Sequence, residues 1–209
     1  SNKLGCRWSK FFCCNGLFSL FANYKAKNIA WDNSLDIGYG ILKQGSESDF
    51  MKTDDKVDLM SKFGRKASKH WYYAALFNFK TQMTAGYKYP NDTVRISDFL
   101  SPAYTLVSIG MDYKPNKIFS LFIAPLTGKV TFVNDQTLAD AGAFGVEKAE
   151  YDSLGNVITN GKKMRAEFGG YLRAQLKKEI MPNVTLESKL DAFSNYLNNP
   201  KNVDFNWET

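Results

Sequence analysis

The sequence predicts an all-β fold: an antiparallel up-and-down transmembrane β-barrel that is incomplete and has about nine long strands. Three observations predict this fold class. Apolar and polar residues alternate strictly along several segments, these segments are longer than ordinary strands, and the connections between them alternate between short and long.

The segment 164–177 shows the alternation most clearly. Every second residue from Met164 onward is apolar or small, whereas Arg165, Glu167 and Arg173 fall between them. Since successive side chains of a strand point to opposite sides, the segment has one apolar and one polar face. Its fourteen residues exceed the roughly nine to eleven with which a tilted strand crosses a bilayer, whereas ordinary strands have about five or six.

Other segments follow the same pattern and complete the predicted set of strands. They are residues 17–24, 29–42, 56–66, 71–83, 104–114, 118–133, 184–197 and 203–207. Segment 184–197 also fits a helical stripe through Leu186, Leu190 and Phe193, so a helix stays open as the alternative to a strand there.

The connections between these segments alternate in length. Short turns are predicted near residues 25–28, 67–70, 114–117 and 181–183, and long polar loops at 44–55, 86–102 and 134–162, the last with a small hairpin around 154–157. Outer-membrane barrels have short periplasmic turns and longer external loops in this order. Aromatic residues near both ends, such as Trp31 and Trp71 by short turns and Tyr39 by a long loop, are typical of the two interfacial girdles.

The polar faces of the strands predict a lumen lined with charge. The residues predicted to face it are Asp32, Asp36, Asp58, Lys62, Asn78, Lys80, Gln82, Arg165, Glu167, Arg173, Gln175 and Lys177. Both signs are present, so we expect the charged side chains of segment 164–177 to meet carboxylates of other strands, namely Asp32, Asp36, Asp58, Glu187 and Asp191. Such pairs could fill a narrow lumen or line a pore, and the sequence does not choose between them. The function classes that remain are a channel, a transporter or a structural barrel.

The main alternative is a soluble or periplasmic β-barrel that binds a hydrophobic ligand inside. In that case the apolar faces would form the core of the barrel. This interpretation explains the alternation, but it explains the strand length and the asymmetry of the connections less well.

Composition excludes several other classes. The chain of 209 residues has no run of eighteen apolar residues, so no transmembrane helix is predicted, and its mean hydropathy of −0.35 is compatible with half-apolar barrel strands. His70 is the only histidine, and Asp49, Asp54 and Asp55 lack the spacing of a calcium loop. The sequence therefore predicts no enzyme, cofactor or metal site. It predicts membrane lipid as the partner and no nucleic acid, and it indicates no protein partner.

Several separated motifs resemble one protein family. They are residues 31–36, 52–56, 79–82, 96–102 and 124–129, and the likeness extends over about residues 15–208. In order and sequence they resemble an uncharacterised Bacteroidota family, the domain of unknown function 3078. The resemblance implies a cell-envelope protein, an outer-membrane barrel without established catalytic residues. Members of the family normally continue with further strands, which implies that this chain is a fragment lacking both ends.

Residues 1–14 depart from the pattern, so we predict two parts: an aberrant segment at 1–14 and a partial β-barrel domain at 15–209. The aberrant segment contains Cys6, Cys13 and Cys14, which lack the spacing and the histidines of a zinc site.

We hypothesise that a frameshift in the source sequence produced the aberrant segment. Synonymous codons for residues 3–14, read one base later, encode a Trp, paired glycines and a polar stretch that resemble the family's sequence at this place. Without Lys3, Arg7 and Lys10 the formal net charge of +6 falls by three to +3, which removes the main argument for nucleic-acid binding. Sequencing the locus tests the hypothesis, and an intact frame would end it.

Overall fold

Nine long strands form one antiparallel sheet in which each strand lies beside its neighbour in sequence. The computed structural model describes residues 11–45, 49–89, 93–198 and 200–209. The strands are β1 (Phe11–Lys25), β2 (Ile29–Gln44), β3 (Met51–Lys66), β4 (Trp71–Thr81), β5 (Ala103–Tyr113), β6 (Phe119–Phe132), β7 (Met164–Met181), β8 (Val184–Asn195) and β9 (Val203–Glu208). The sheet curls into a half-barrel, which confirms the predicted all-β class and the antiparallel order of nine strands.

Two strands begin earlier than predicted. β3 begins at Met51, so the long loop predicted at 44–55 is wrong. The pairing of β2 with β3 shifts register after Gly40 and then continues, with Leu42 opposite Met51. β1 begins at Phe11, so residues 11–14 pair with β2, whereas the first ten residues of the aberrant segment lie outside the described ranges.

Segment 184–197, for which a helix was the alternative, contains a strand. β8 pairs with β7 over almost its whole length, from Val184 opposite Met181 to Asn195 opposite Gly169. The helical stripe does not form because this segment makes its backbone hydrogen bonds to β7 and, over residues 189–194, also to β9.

The register sorts the side chains into two unlike faces. Along one row Trp31 lies opposite Phe63, which lies opposite Ala75 and then Ile109. Along a row of the other face the partners are charged, as where Asp58 lies opposite Lys80. Because cross-strand partners share a face, the alternation of each strand adds up to one apolar and one polar side of the sheet.

The polar side is the concave one. Lys62 of β3 reaches Asp112 of β5, with 2.7 Å between Nζ and Oδ2, and Arg173 of β7 reaches Met60 of β3. Side chains of strands that are not neighbours can touch in this way only when the sheet curls toward them. The apolar side is therefore convex.

A small apolar cluster lies at the centre of the concave face. Phe122 and Tyr171 pack edge to face with 6.2 Å between ring centroids, and Lys62 lies over the Phe122 ring. The buried members of the cluster are Ala74, Leu76, Phe122, Ala124, Tyr171 and Phe193. This cluster fills the middle of the concavity, and charged side chains surround it.

A β-bulge in β6 sets the curvature next to this cluster. Leu126 lies opposite Ile109 and Ile123 lies opposite Met111, so two residues of β6 face the single Gly110 of β5. Pro125 occupies the bulge, where its missing N–H leaves no ladder bond unmade. The close approach requires glycine on β5, because a Cβ at Gly110 would lie 2.1 Å from the Ile123 carbonyl oxygen.

The two ends of the sheet differ in their connections. At one end the turns are short, as at residues 26–28 and 182–183. At the other end residues 82–102 contain a small hairpin, and residues 133–163 contain a helix (Gln136–Asp140) and a second hairpin of Glu150–Tyr151 with Val157–Thr159. The second hairpin lies where the sequence predicted one. None of the helices in the described part of the chain is long and apolar enough to cross a membrane.

We expect Gly110→Ala to destabilise the sheet and Gly128→Ala to leave it nearly unchanged. A Cβ at Gly110 meets backbone of β6, whereas a Cβ at Gly128 meets nothing within 4 Å. Overpacking of this kind costs about 1–3 kcal/mol in the free energy of unfolding. Denaturant titration followed by tryptophan fluorescence measures both variants, and equal stabilities would contradict the bulge geometry.

Candidate functional site: the charged concave face

The structure places the predicted lumen residues together, with one exception. Asp32, Asp36, Asp58, Lys62, Asn78, Lys80, Arg165, Glu167, Arg173, Gln175 and Lys177 lie on the concave face. Gln82 lies just beyond the end of β4, where its side-chain oxygen accepts a hydrogen bond from Lys52.

Arg173 and Asp191 form a bidentate ion pair between β7 and β8. The Arg173 Nε and Nη2 atoms lie 2.6 and 2.9 Å from the two oxygens of Asp191, and the Tyr171 hydroxyl donates to the same carboxylate. The two charged side chains are only 14% and 16% exposed. A pair this enclosed is strongly coupled, because either charge alone would lose solvation without compensation.

A second group of charges lies on β3 and β5. Asp112 accepts from Lys62 at 2.7 Å and from Lys114 at 3.2 Å, and Lys114 also approaches Asp32 at 3.7 Å. Asp112 is almost fully buried, and its Oδ1 atom has no hydrogen-bond partner among the described residues. Asp112 is not among the residues predicted to face the lumen. The alternation of polar Ser108 and Asp112 with apolar Val107, Ile109 and Met111 is the period-two signal that could have predicted it.

Two carboxylates on the concave face each serve two ammonium groups. Glu187 lies 3.2 Å from Lys177 and 3.1 Å from Lys189. Asp58 lies 3.2 Å from Lys80 and 3.7 Å from Lys56. Gln175 and Asn78 add amide donors to these two carboxylates. In each group one carboxylate therefore serves two ammonium groups.

Glu167 anchors the end of the concave face nearest the long loops. Its carboxylate accepts from Arg165 at 2.7 Å and from the Asn195 amide at 3.1 Å. Lys129 lies close by, 4.9 Å from the centroid of the Phe193 ring. Two of the five acids expected to pair with segment 164–177 do so, Asp191 with Arg173 and Glu187 with Lys177. Among the described residues the segment forms no ion pair with the other three, Asp32, Asp36 and Asp58, and Arg165 pairs with Glu167 of its own strand.

A polar cavity of about 360 Å³ lies inside the curl. Side chains of β1 and β2 form one wall, among them Phe21, Asp32 and Asp36, and side chains of β7 to β9 form the opposite wall, among them Lys177 and Lys189. Its volume lies at the lower end of the range for small-molecule sites, about 300–1,000 Å³.

The carboxylate of Asp55 holds the long-loop end together. It accepts from Lys52 and from the backbone N–H groups of Met83 and Thr84. Lys52 also donates to the side chain of Ser97. The hydrogen bonds of Asp55 therefore stabilise the fold at this end. Within the described ranges, no three metal-ligating side chains lie close enough to hold an ion.

Asp135 connects the two long loops. Its side chain caps helix Gln136–Asp140 by accepting from the Leu138 N–H at 2.9 Å, and it accepts from Arg95 of the preceding loop at 2.9 Å. The backbone hydrogen bond from Leu138 lowers the pKa of Asp135, and Arg95 lowers it further. The carboxylate form thus favours the ordered loops.

We expect the protection of this helix from hydrogen exchange to fall in acid. Because the folded pKa of Asp135 is lowered, its contribution is present above the ordinary aspartate pKa of about 3.9 and is lost as pH falls through the folded pKa. Asp135→Asn keeps a capping side chain without that titration, so its protection should not fall over the same range. Identical pH profiles in the two proteins would contradict this role.

We expect Arg173→Met to destabilise the protein by about 3–5 kcal/mol, because it leaves the enclosed Asp191 carboxylate unpaired. The double variant Arg173→Met/Asp191→Leu should recover most of that loss. Lys162→Met is the control, since it breaks the exposed Lys162–Glu147 pair and should cost less than about 1 kcal/mol. Free energies of unfolding in a double-mutant cycle measure the coupling, and additive effects would contradict it.

Comparison with known proteins gives one match. Residues 11–87 match the family described as "Protein of unknown function (DUF3078)", a range that contains β1 to β4. No curated protein and no solved structure matches the chain. The match supports the assignment of these strands to an uncharacterised family, in agreement with the motifs at residues 31–36, 52–56 and 79–82.

Proposed function

We propose that this chain forms part of a transmembrane β-barrel in the bacterial outer membrane. The convex face would contact lipid, and the concave face would line the lumen. The observation that carries the proposal is the inverted arrangement of the sheet: large apolar side chains are exposed on the outside, whereas charges are enclosed on the inside.

The exposure of the convex face supports contact with lipid. Ile109 is 59% exposed and Leu126 is 55% exposed, each in the middle of a long strand, and Phe168, nearer the long-loop end of β7, is 42% exposed. Single exposed apolar residues are ordinary in soluble proteins, but an apolar face that continues across many strands is not. In a bilayer this face would be the favourable one.

The concave face argues against the alternative of a barrel that holds a hydrophobic ligand. Its small apolar cluster is packed on itself, and its other side chains form ion pairs. An apolar ligand inside would have to displace these charges from their partners, at a high cost in free energy.

The two ends of the sheet support an orientation. The short turns would face the periplasm and the long loops the outside. At the short-turn end the rings of Trp71 and Tyr113 lie 4.8 Å apart, centroid to centroid, with Trp31 and Tyr73 on the same convex face. Aromatic rings settle at membrane interfaces, so this group would mark the periplasmic boundary.

The direction of the two edge strands determines whether closing the barrel requires an even or an odd number of further strands. β1 and β9 run the same way, since eight antiparallel pairings separate them. An all-antiparallel closure would therefore insert an odd number of strands between them, from this polypeptide or a partner. The resemblance to a Bacteroidota family adds the cell envelope of that group to the proposal. The polar lumen suits a channel, a transporter or a structural barrel.

We expect Ile109→Lys to weaken folding into lipid vesicles by about 2–4 kcal/mol, the range for a basic residue near the middle of the lipid face. Ser34→Lys is the control, because it adds the same side chain on the concave face, between Asp32 and Asp36. Folding yield and unfolding free energy in vesicles measure both. Equal tolerance of the two substitutions would contradict the assignment of the faces.

The unmodified chain should also depend on detergent or lipid after refolding from urea. Its apolar convex face would otherwise associate between molecules. Size-exclusion chromatography with and without detergent measures this dependence. A monodisperse protein in plain buffer would overturn the membrane proposal and favour a soluble barrel.

A further inference from the structure

We infer that the short-turn end of the sheet forms a basic rim that binds the headgroups of anionic phospholipids in the adjacent leaflet. The basic rim consists of the exposed lysine and arginine side chains of the four short turns and of the strand ends beside them. This inference rests on the proposed function, because it names the lipid class that the proposed barrel would meet at its periplasmic boundary.

Two of the short turns supply most of the basic rim. Lys25 and Lys27 lie where β1 turns into β2, and Arg65, Lys66 and Lys69 lie where β3 turns into β4. All five residues are exposed, and none of them forms an ion pair among the described residues. Residues 25–28 and 65–70 contain no acidic residue, so neither turn compensates its own positive charge.

The other two short turns continue the basic rim along the end of the sheet. Lys117 lies in the turn between β5 and β6, and Lys178 lies near the end of β7. Both are exposed, and in the described part of the chain neither has an ion-pair partner. Every short turn therefore contributes to the positive charge, which extends from β1 to β7.

The acidic residues of this end do not balance the basic rim. Glu179, next to Lys178, is the one acidic residue within the short turns and the strand ends of the rim. The nearby carboxylates of the concave face already lie beside lysines of that face: Asp32 and Asp112 beside Lys62 and Lys114, and Glu187 and Glu208 beside Lys177 and Lys189. The rim therefore keeps an excess of positive charge after its neighbours are counted.

Two residues of the basic rim lie on the convex face, where lipid would be. Arg65 lies opposite Ile29 on one side and Tyr73 on the other, and Lys178 lies opposite Leu186. Apolar and aromatic neighbours offer these cations no counter-charge. A lipid phosphate would supply one, and a guanidinium binds a phosphate through two parallel hydrogen bonds.

The net charge of the basic rim selects the class of phospholipid. A zwitterionic headgroup such as phosphatidylcholine also has a phosphate, but it brings a cation of its own to a surface that is already positive. An anionic headgroup such as phosphatidylglycerol brings the phosphate without that cation. Basic residues close to a membrane surface attract anionic lipids in this way.

The opposite end of the sheet does not show the same pattern. There Arg95 pairs with Asp98 and Asp135, and Lys162 pairs with Glu147. The long loops thus supply carboxylates to their own cations, whereas the short turns do not. The charge excess that calls for an anionic partner belongs to the short-turn end.

Quenching of tryptophan fluorescence by brominated lipids tests this inference on the full chain folded in vesicles. Trp8→Phe and Trp207→Phe leave Trp31 and Trp71, which lie beside short turns, as the reporters. Phosphatidylcholine vesicles contain the same mole fraction of brominated phosphatidylglycerol or of brominated phosphatidylcholine. We expect phosphatidylglycerol to associate about fivefold more strongly next to these tryptophans, and this preference should shrink at 1 M salt, where the Debye length is about 3 Å.

Two matched triple variants assign the preference to one end of the sheet. Arg65→Gln/Lys66→Gln/Lys69→Gln removes three charges of the basic rim and should reduce the preference to about twofold or less. The control, Lys88→Gln/Lys148→Gln/Lys201→Gln, removes three exposed lysines at the long-loop end and should keep the full preference.

The outcomes separate this inference from the proposal on which it rests. Equal quenching by the two brominated lipids would overturn the inference and favour an acidic protein as the partner of the basic rim. An equal loss of preference in the two triple variants would overturn it as well, since the charge of either end would then suffice. Quenching by neither lipid would overturn the membrane proposal too.

Discussion

Charge enclosed inside a curled sheet is the constraint on which this structure depends. The curl brings Lys62 to Asp112 and encloses the pair of Arg173 and Asp191, so each charge must find a partner within the concavity. An unpaired charge there would be far more costly than an unpaired charge on an open surface. The register of the strands is fixed by the same requirement, because a shift of one residue would turn the charges outward and the apolar residues inward.

The convex face is the complement of this arrangement. In a soluble barrel the inner face supplies the hydrophobic stabilisation, but here the inner apolar cluster is small and the larger apolar area lies outside. The proposed bilayer resolves that inversion, since lipid would cover the convex side. The two ends of the sheet would then lie on opposite sides of the bilayer. One end carries the short turns, and the other carries the long loops, which are held together by Asp55 and by the pair of Asp135 and Arg95.

Much of the fold could be predicted because a period of two is a local signal. Each of the nine strands was found in sequence, and the alternation placed Arg173 and Lys177 on the same face as Asp58 and Lys80. The bulge at Pro125 could not be predicted, because it depends on the match between Gly110 and the β6 backbone across strands. The enclosed position of Asp112 and the central place of Tyr171 follow from the curvature of the sheet, which no single strand encodes.

The central claim, that the two faces meet lipid and water respectively, is tested most directly by spin labels on neighbouring residues of β7. With Cys6, Cys13 and Cys14 replaced by serine, labels at Ala174→Cys on the convex face and Gln175→Cys on the concave face are measured in lipid vesicles. The account predicts that oxygen, which concentrates in lipid, relaxes the label at 174 and that a water-soluble nickel complex relaxes the label at 175. Equal relaxation of both labels by the nickel complex would contradict it.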